Sequence, residues 1–321
     1  MKSPSGIRRF LLPPGLLAIA FLAGASVMAA PTNIFSTQFE AWEGYSTNFD
    51  LIGQNGWLGF GSGGNGIVNQ FITGEGQQAY LGFTAPAAGY DQLGAWPPFN
   101  FDPLAAHREL VRFSVLMNIS DSMNASWDNF RWSVYNPQGH RFFSLDFDNF
   151  YADVSYLLDG TNTLVITDIP YTPGSNYTLL VTMNFASNRW SATLDKALIA
   201  TNQPITTTNA TLALGDIDAV WLIYDTNAPG DNFMLFDNYR VTAESLPVPP
   251  ARMEFLGRSV EGWTLLRVFA LTGSRWAVEA TTNLLDWTAL KTNVVSDLAF
   301  DLVDTTAAGS KQRFYRARSV P

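Results

Sequence analysis

Carboxylates, imidazoles and aromatic rings are the groups able to do chemistry in this 321-residue chain, which contains no cysteine. Without thiols there is no thiol nucleophile, no Cys-ligated zinc and no iron–sulfur centre. A glycosidase needs two carboxyl groups flanking the scissile bond. Between residues 33 and 243, however, glutamate occurs only at Glu40, Glu43, Glu75 and Glu109. Asp146 and Asp148 are the best aspartate substitute, because alternate residues of a strand share a face. Such a pair is more commonly a solvated face or a cation ligand. The two histidines, His107 and His140, fit no zinc-ligand spacing, and no Gly-x-Ser-x-Gly elbow is present. No catalytic residue is assigned.

Binding chemistry is better represented. Calcium takes carboxylate, amide and carbonyl oxygens. Three clusters could supply them: Asp146/Asp148/Asn149, Asp216/Asp218, and Asp231/Asn232 with Asp237/Asn238. Asp and Asn also populate ordinary turns heavily. Sugars present flat C–H faces on which Trp and Tyr stack. Trp132, Trp190 and Trp221 lie inside strand patterns and are expected in the core. Trp57 sits in the Gly-rich stretch 53–76, Trp96 precedes Pro97-Pro98, and Trp127 follows Asn124-Ala125-Ser126. These three are expected to stand exposed as a ligand-binding surface, the alternative being that they cap the ends of the fold. The run Gly61-Ser62-Gly63-Gly64-Asn65-Gly66 has no strand–helix unit around it, so it is not a phosphate loop.

The elements that must position these groups are strands. Apolar residues make up 47% and charged residues 15% of the chain, enough for a real core. Val111-Arg112-Phe113-Ser114-Val115 and Phe130-Arg131-Trp132-Ser133-Val134 alternate with period two. The turn Asn136-Pro137-Gln138-Gly139 then makes a hairpin with Arg141–Leu145. Tyr177–Phe185, Trp190–Leu194, Ala219–Tyr224 and Phe233–Val241 continue the pattern. The expected class is all-β: a two-sheet jelly-roll sandwich followed by a small β-sandwich-like domain. The expected boundaries are residues 31–246 for the jelly roll, 247–250 for a Pro-rich linker and 251–321 for the small domain.

Residues 1–30 read as a signal peptide, with Lys2, Arg8 and Arg9 ahead of an apolar run and small residues before Pro31. A secreted or cell-surface location is therefore expected, with no transmembrane segment in the mature chain. Residues 31–243 carry 7 basic and 20 acidic side chains, whereas residues 244–321 carry 9 and 8. An acidic main domain argues against nucleic acid as a partner. It is compatible with neutral sugars, with cations or with simple solubility, and the expected partner is carbohydrate or an extracellular matrix or protein ligand.

The strand pair Leu180–Phe185 and Arg189–Asp195, with the closing strand Leu235–Val241, resembles the concanavalin A-like lectin/glucanase superfamily, laminin-G-like modules included. Its glucanases commonly carry Glu-x-Asp-x-x-Glu on one strand, and that motif is absent here. The opening Phe39-Glu40 and the closing Asp237 are similar to calcium-site elements of jelly-roll carbohydrate-binding modules. The resemblance implies Glu40 and Asp237 as metal ligands and a structural Ca²⁺ as the cofactor. Trp276–Thr288 and Gln312–Arg316 resemble a C-terminal module of secreted proteins of environmental Gram-negative bacteria. Three readings stay open: a non-catalytic carbohydrate-binding module, a structural or adhesion protein of the cell envelope, and a glycoside hydrolase or lyase with an Asp-based site.

Overall fold

The computed structural model describes residues 21–23, 30–84, 86, 90–161, 163–246 and 249–320. Most of the expected signal peptide, together with Pro247 and Val248 of the expected linker, lies outside them. Among the described residues the chain forms strands and two 3₁₀ turns and no α-helix. It divides into two compact units, Ala29–Leu246 and Pro247–Pro321 with Met1–Met28.

The strands, in chain order, begin with β1 (Phe21–Ala23), which belongs to the smaller unit. The larger unit then holds β2 (Thr32–Thr37), β3 (Leu58–Phe60), β4 (Asn65–Asn69), β5 (Gln77–Gly82), β6 (Gln92–Trp96), β7 (Leu110–Ile119), β8 (Asn129–Tyr135) and β9 (Arg141–Asp148). It continues with β10 (Asp153–Leu158), β11 (Val165–Pro170), β12 (Asn176–Asn184), β13 (Arg189–Leu194), β14 (Ala197–Pro204), β15 (Asp216–Leu222) and β16 (Phe233–Glu244). These make two antiparallel sheets. One runs β11-β10-β9-β8-β15-β6-β3; the other runs β14-β13-β12-β7-β16-β5-β4, with β2 also paired to β16.

Alternation decides what each sheet buries. On β15, Ile217, Ala219 and Trp221 enter the core while Asp216 and Asp218 face outward; on β8, Phe130, Trp132 and Val134 go in and Arg131, Ser133 and Tyr135 go out. The core between the sheets is aromatic. Trp132 meets Phe236 and Tyr239 from the opposite sheet, and the buried Tyr239 hydroxyl donates to the Ile217 carbonyl at 2.9 Å. The expected hairpin forms between β8 and β9, closed by a turn in which Gly139 N–H donates to Asn136 O at 2.9 Å. The unit is an all-β jelly-roll sandwich.

The smaller unit adds β17 (Arg252–Arg258), β18 (Thr264–Phe269), β19 (Arg275–Thr281), β20 (Thr288–Val294), β21 (Ala299–Asp304) and β22 (Phe314–Ser319). They form the sheets β1-β22-β19-β20 and β17-β18-β21 around Leu266, Val268, Trp276, Val278 and Tyr315. Buried Asp304 is held by Arg313 at 2.6 Å and the Tyr315 hydroxyl at 3.1 Å.

Candidate functional site

The three tryptophans do not form one surface. Trp57 corrects the expectation outright: it is 1% exposed. Its chain segment turns inward, with Trp57 N–H donating to Gln54 O and Gly53 N–H to Trp57 O. Gly53 and Gly56 make this possible by adopting φ of 98° and 83°, where side-chain-bearing residues are strained. The indole then packs between Phe39 and Tyr239, and its N–H donates to Tyr45 Oη at 2.9 Å. Trp96 ends β6 half-buried on the outer face of the seven-stranded sheet, 5.9 Å from the Phe60 ring. Trp127 alone lines a cleft.

That cleft is built by three loops at one end of the sandwich, those joining β7 to β8, β9 to β10 and β15 to β16. It has a volume of ≈ 490 Å³ and is lined by Trp127, Phe150, Tyr151 and Tyr224 together with Asp128, Asn129, Asp148 and Asp225, a size in the range of small-molecule sites. Trp127 and Phe150 meet edge to face at 5.2 Å, and Phe150 and Tyr151 do so at 4.9 Å. Phe150, Tyr151 and Tyr224 are 60%, 72% and 91% exposed, so none of them serves the core.

Carboxylates hold the loops in place. Buried Asp128 accepts from Trp221 Nε1 (3.0 Å), Tyr224 N (3.0 Å) and Gly230 N (2.9 Å). Asn232 bonds the Asp128 backbone on both sides. A Cβ on Gly230 would lie 2.2 Å from Asn232 Oδ1, so this approach requires glycine. Asp231 Oδ1 accepts from Met123 N at 2.7 Å and Ser122 Oγ at 2.9 Å, tying the first loop to the third. Asp148 Oδ1 accepts from Phe150 N and Tyr151 N, both at 3.0 Å, which sets the two rings. Trp127 is oriented by its own N–H donating to Asp121 Oδ1 at 3.0 Å. Burial raises the Asp128 carboxyl above the ordinary range, against those hydrogen bonds and with help from Asp225.

Sequence reasoning missed Phe150, Tyr151 and Tyr224. A signal was there: aromatics inside Asp/Asn-rich turn segments, Asp148-Asn149-Phe150-Tyr151 and Tyr224-Asp225-Thr226-Asn227, where packing needs no ring.

The aspartate pairs have other tasks. Asp146 makes a bidentate pair with Arg131, both bonds 2.6 Å, and Asp148 holds its turn. Asp216 and Asp218 lie side by side on the outer face. Burial raises both, and Asp218 further through the neighbouring Asp216 carboxylate. His140 Nε2 lies 3.2 Å from Asp159 Oδ2 and 3.3 Å from Thr208 Oγ1, so one nitrogen meets both and no relay geometry results.

Glu40 and Asp237 are brought near one another. Glu40 Oε1 accepts from Gln77 N at 3.2 Å. Asp237 is fully buried, its Oδ2 has no hydrogen-bond partner, and Gln77 Oε1 is likewise unpartnered. Burial raises Asp237 to about 7, with Glu75, Glu40 and Glu43 adding to the rise. Among the described residues no group of three His, Cys, Asp or Glu side chains converges as a metal site. Two carboxylates and an amide oxygen are nevertheless donors of the kind calcium accepts.

No family model matches the chain, and no curated protein matches it. Solved structures do align with it. A sialidase aligns at 7% identity and TM-score 0.42 over 58% of this chain, which spans 17% of that protein. A carbohydrate esterase of Shiga toxin-encoding bacteriophage phi24B aligns at 16% identity and TM-score 0.45, covering 67% of this chain and all of its own. Arcelin-5, a lectin-like defense protein from Phaseolus vulgaris, aligns at 9% identity and TM-score 0.43 over 67% of this chain and 99% of its own. Among the described residues no helix is long and apolar enough to cross a membrane.

Proposed function

We propose that the larger unit is an extracellular, non-catalytic module that binds carbohydrate in the loop-end cleft. The observation that carries this is the convergence of Trp127, Phe150, Tyr151 and Tyr224 around one cleft, three of them exposed and all outside the core. A protein gains nothing in stability from holding such rings in water, whereas a sugar ring offers them a C–H face. Asn129, Asp148 and Asp225 stand beside the rings to meet hydroxyls. Asp128, Asp148 and Asp225 are engaged with backbone donors of the loops, which favours a positioning role over acid–base work.

A structural Ca²⁺ held by Glu40 and Asp237 belongs to the same reading. It would neutralise a buried carboxylate whose Oδ2 otherwise lacks a partner, and Gln77 Oε1 could join it. Its site is formed by the segment after β2, the start of β5 and the middle of β16, so it would pin chain segments and take no part in ligand contact.

The test is a glycan array probed with the full chain, with and without calcium. Selective binding that falls about tenfold or more in Trp127→Ala and Tyr224→Ala, roughly one stacking contact's worth, supports the reading. Folded protein that binds no glycan refutes it and turns attention to a protein or matrix ligand.

A further inference from the structure

The cleft has a charge that its proposed ligand must answer. Its lining includes Asp128, Asp148 and Asp225 and no Lys, Arg or His. The negative character extends past the lining. The Tyr171 hydroxyl, bonded to Asp148 O and Asn149 Oδ1, is pushed far up by burial and then by Asp148, Asp153 and Asp121. Asp153 is raised by burial and by Asp148 and Asp168. Arg131, on the neighbouring stretch of β8, is already spent on Asp146. Among the described residues that line the cleft, no basic side chain balances these carboxylates.

Ring geometry points the same way. Here Trp127 and Phe150 stand 76° apart, and Phe150 and Tyr151 stand 87° apart. Rings set nearly perpendicular at 5.2 and 4.9 Å make corners on the cleft wall and not one flat surface. Such an arrangement attracts a cation through the ring quadrupoles, and more strongly as water is excluded. Asp225 sits at the exposed rim on the same loop as Tyr224. Its Oδ1 accepts from Asn227 N at 2.9 Å.

We infer that the cleft selects a saccharide bearing an ammonium group, an amino sugar, with the cation among the Trp127, Phe150 and Tyr151 rings and facing Asp148 and Asp225. This rests on the reading that the cleft binds carbohydrate, and it names the class of sugar. A neutral sugar would meet the hydrogen-bonding groups but bring no counter-charge to the carboxylates, and a uronate would be repelled by them.

The experiment is calorimetric titration of the full chain with three tetrasaccharides: the β-1,4-linked glucosamine tetramer, its fully N-acetylated counterpart and the glucose tetramer. The glucosamine tetramer is expected to bind about tenfold tighter than either neutral one, a preference of the size a partly desolvated cation–π site gives, and to weaken with added salt. Asp225→Asn, whose side chain contacts only its own loop, is expected to abolish the preference while leaving the melting temperature unchanged. Trp127→Ala is expected to remove binding of all three. Equal affinity for charged and neutral tetramers, or a preference that survives Asp225→Asn, overturns the inference and leaves the carbohydrate reading standing. No binding of any tetramer by folded protein overturns both.

Discussion

The rings of Phe143 and Trp190 lie face to face across the sandwich, 4.0 Å between centroids and 3° from parallel. Phe143 comes from β9 of one sheet and Trp190 from β13 of the other, so the stack joins the two layers directly. Tyr156 closes on the same indole edge to face at 5.6 Å. The Trp190 N–H donates to Pro204 O at 3.0 Å, fixing β14 as well. Trp190→Ala would leave a cavity among these rings. It is expected to cost about 3–5 kcal/mol in urea unfolding, with Phe143→Leu costing less.

Acid should strike at Asp159. Burial alone would raise this carboxyl. Hydrogen bonds from Thr206, Thr207 and His140 outweigh burial and hold it well below the ordinary carboxylate range. A depressed folded pKa contributes stability above the unfolded value, near 4, and loses it as pH falls through the folded value. Asp159→Asn is therefore expected to cost about 2–4 kcal/mol at pH 7. The gap from the parent chain should narrow at strongly acid pH, as read by thermal melts across pH.

Asp216 and Asp218 should do the reverse. Both are raised by burial and neither is relieved by an ion pair among the described residues. A raised folded pKa gives stability that is full below the unfolded value, near 4, and is lost as pH rises. The melting temperature of the parent chain should drop between weakly acid and weakly alkaline pH. Asp218→Asn should drop less and melt higher at the alkaline end. Identical slopes in the two proteins would remove this pair as the cause.

Calcium, if held at Glu40 and Asp237, should act as a ligand of the folded state. A hundredfold excess over its dissociation constant stabilises by about 2.7 kcal/mol, readily seen as a raised melting temperature that chelator reverses. The effect should strengthen as pH rises through about 7, where Asp237 gives up its proton. Asp237→Asn should abolish it. Because this variant removes a buried charge whose Oδ2 has no partner and keeps an oxygen for Asn238 N, it should melt no lower than the parent chain in chelator.

The strands were legible in the sequence because burial on one face writes period-two alternation. Trp132, Trp190 and Trp221 were legible as core for the same reason, and all three are buried. The cleft was legible at one residue. Trp127 stands just before a strand pattern, where a ring has no core to enter, and it lines the site. Trp57 looked similar, but two left-handed glycines fold its loop inward, and nothing local distinguishes a loop that folds in from one that folds out. Phe150 and Tyr224 come from segments about seventy residues apart in the chain, and their meeting depends on β9 and β15 both flanking β8. Strand order of that kind is a property of the whole sheet. The unmatched Asp237 oxygen was equally beyond reach, since a missing partner shows only once neighbours are placed.

One carboxylate joins two of the three loops of the cleft, and Asn149 Nδ2 ties the third to them by donating to Ser120 O at 3.0 Å. Asp128 takes its donors from β15, from Tyr224 and from Gly230, while its own backbone belongs to the loop that carries Trp127. The loops therefore are not separable parts. Diversification of this site, by evolution or by engineering, would have to proceed at the tips: the side chains of Met123, Phe150 and Asn227 can change ligand preference without breaking a bond between loops, whereas exchanging a loop whole would break the bonds that hold its neighbours. The larger unit offers a fixed socket with replaceable fingertips, and libraries built on it should randomise side chains at constant loop length.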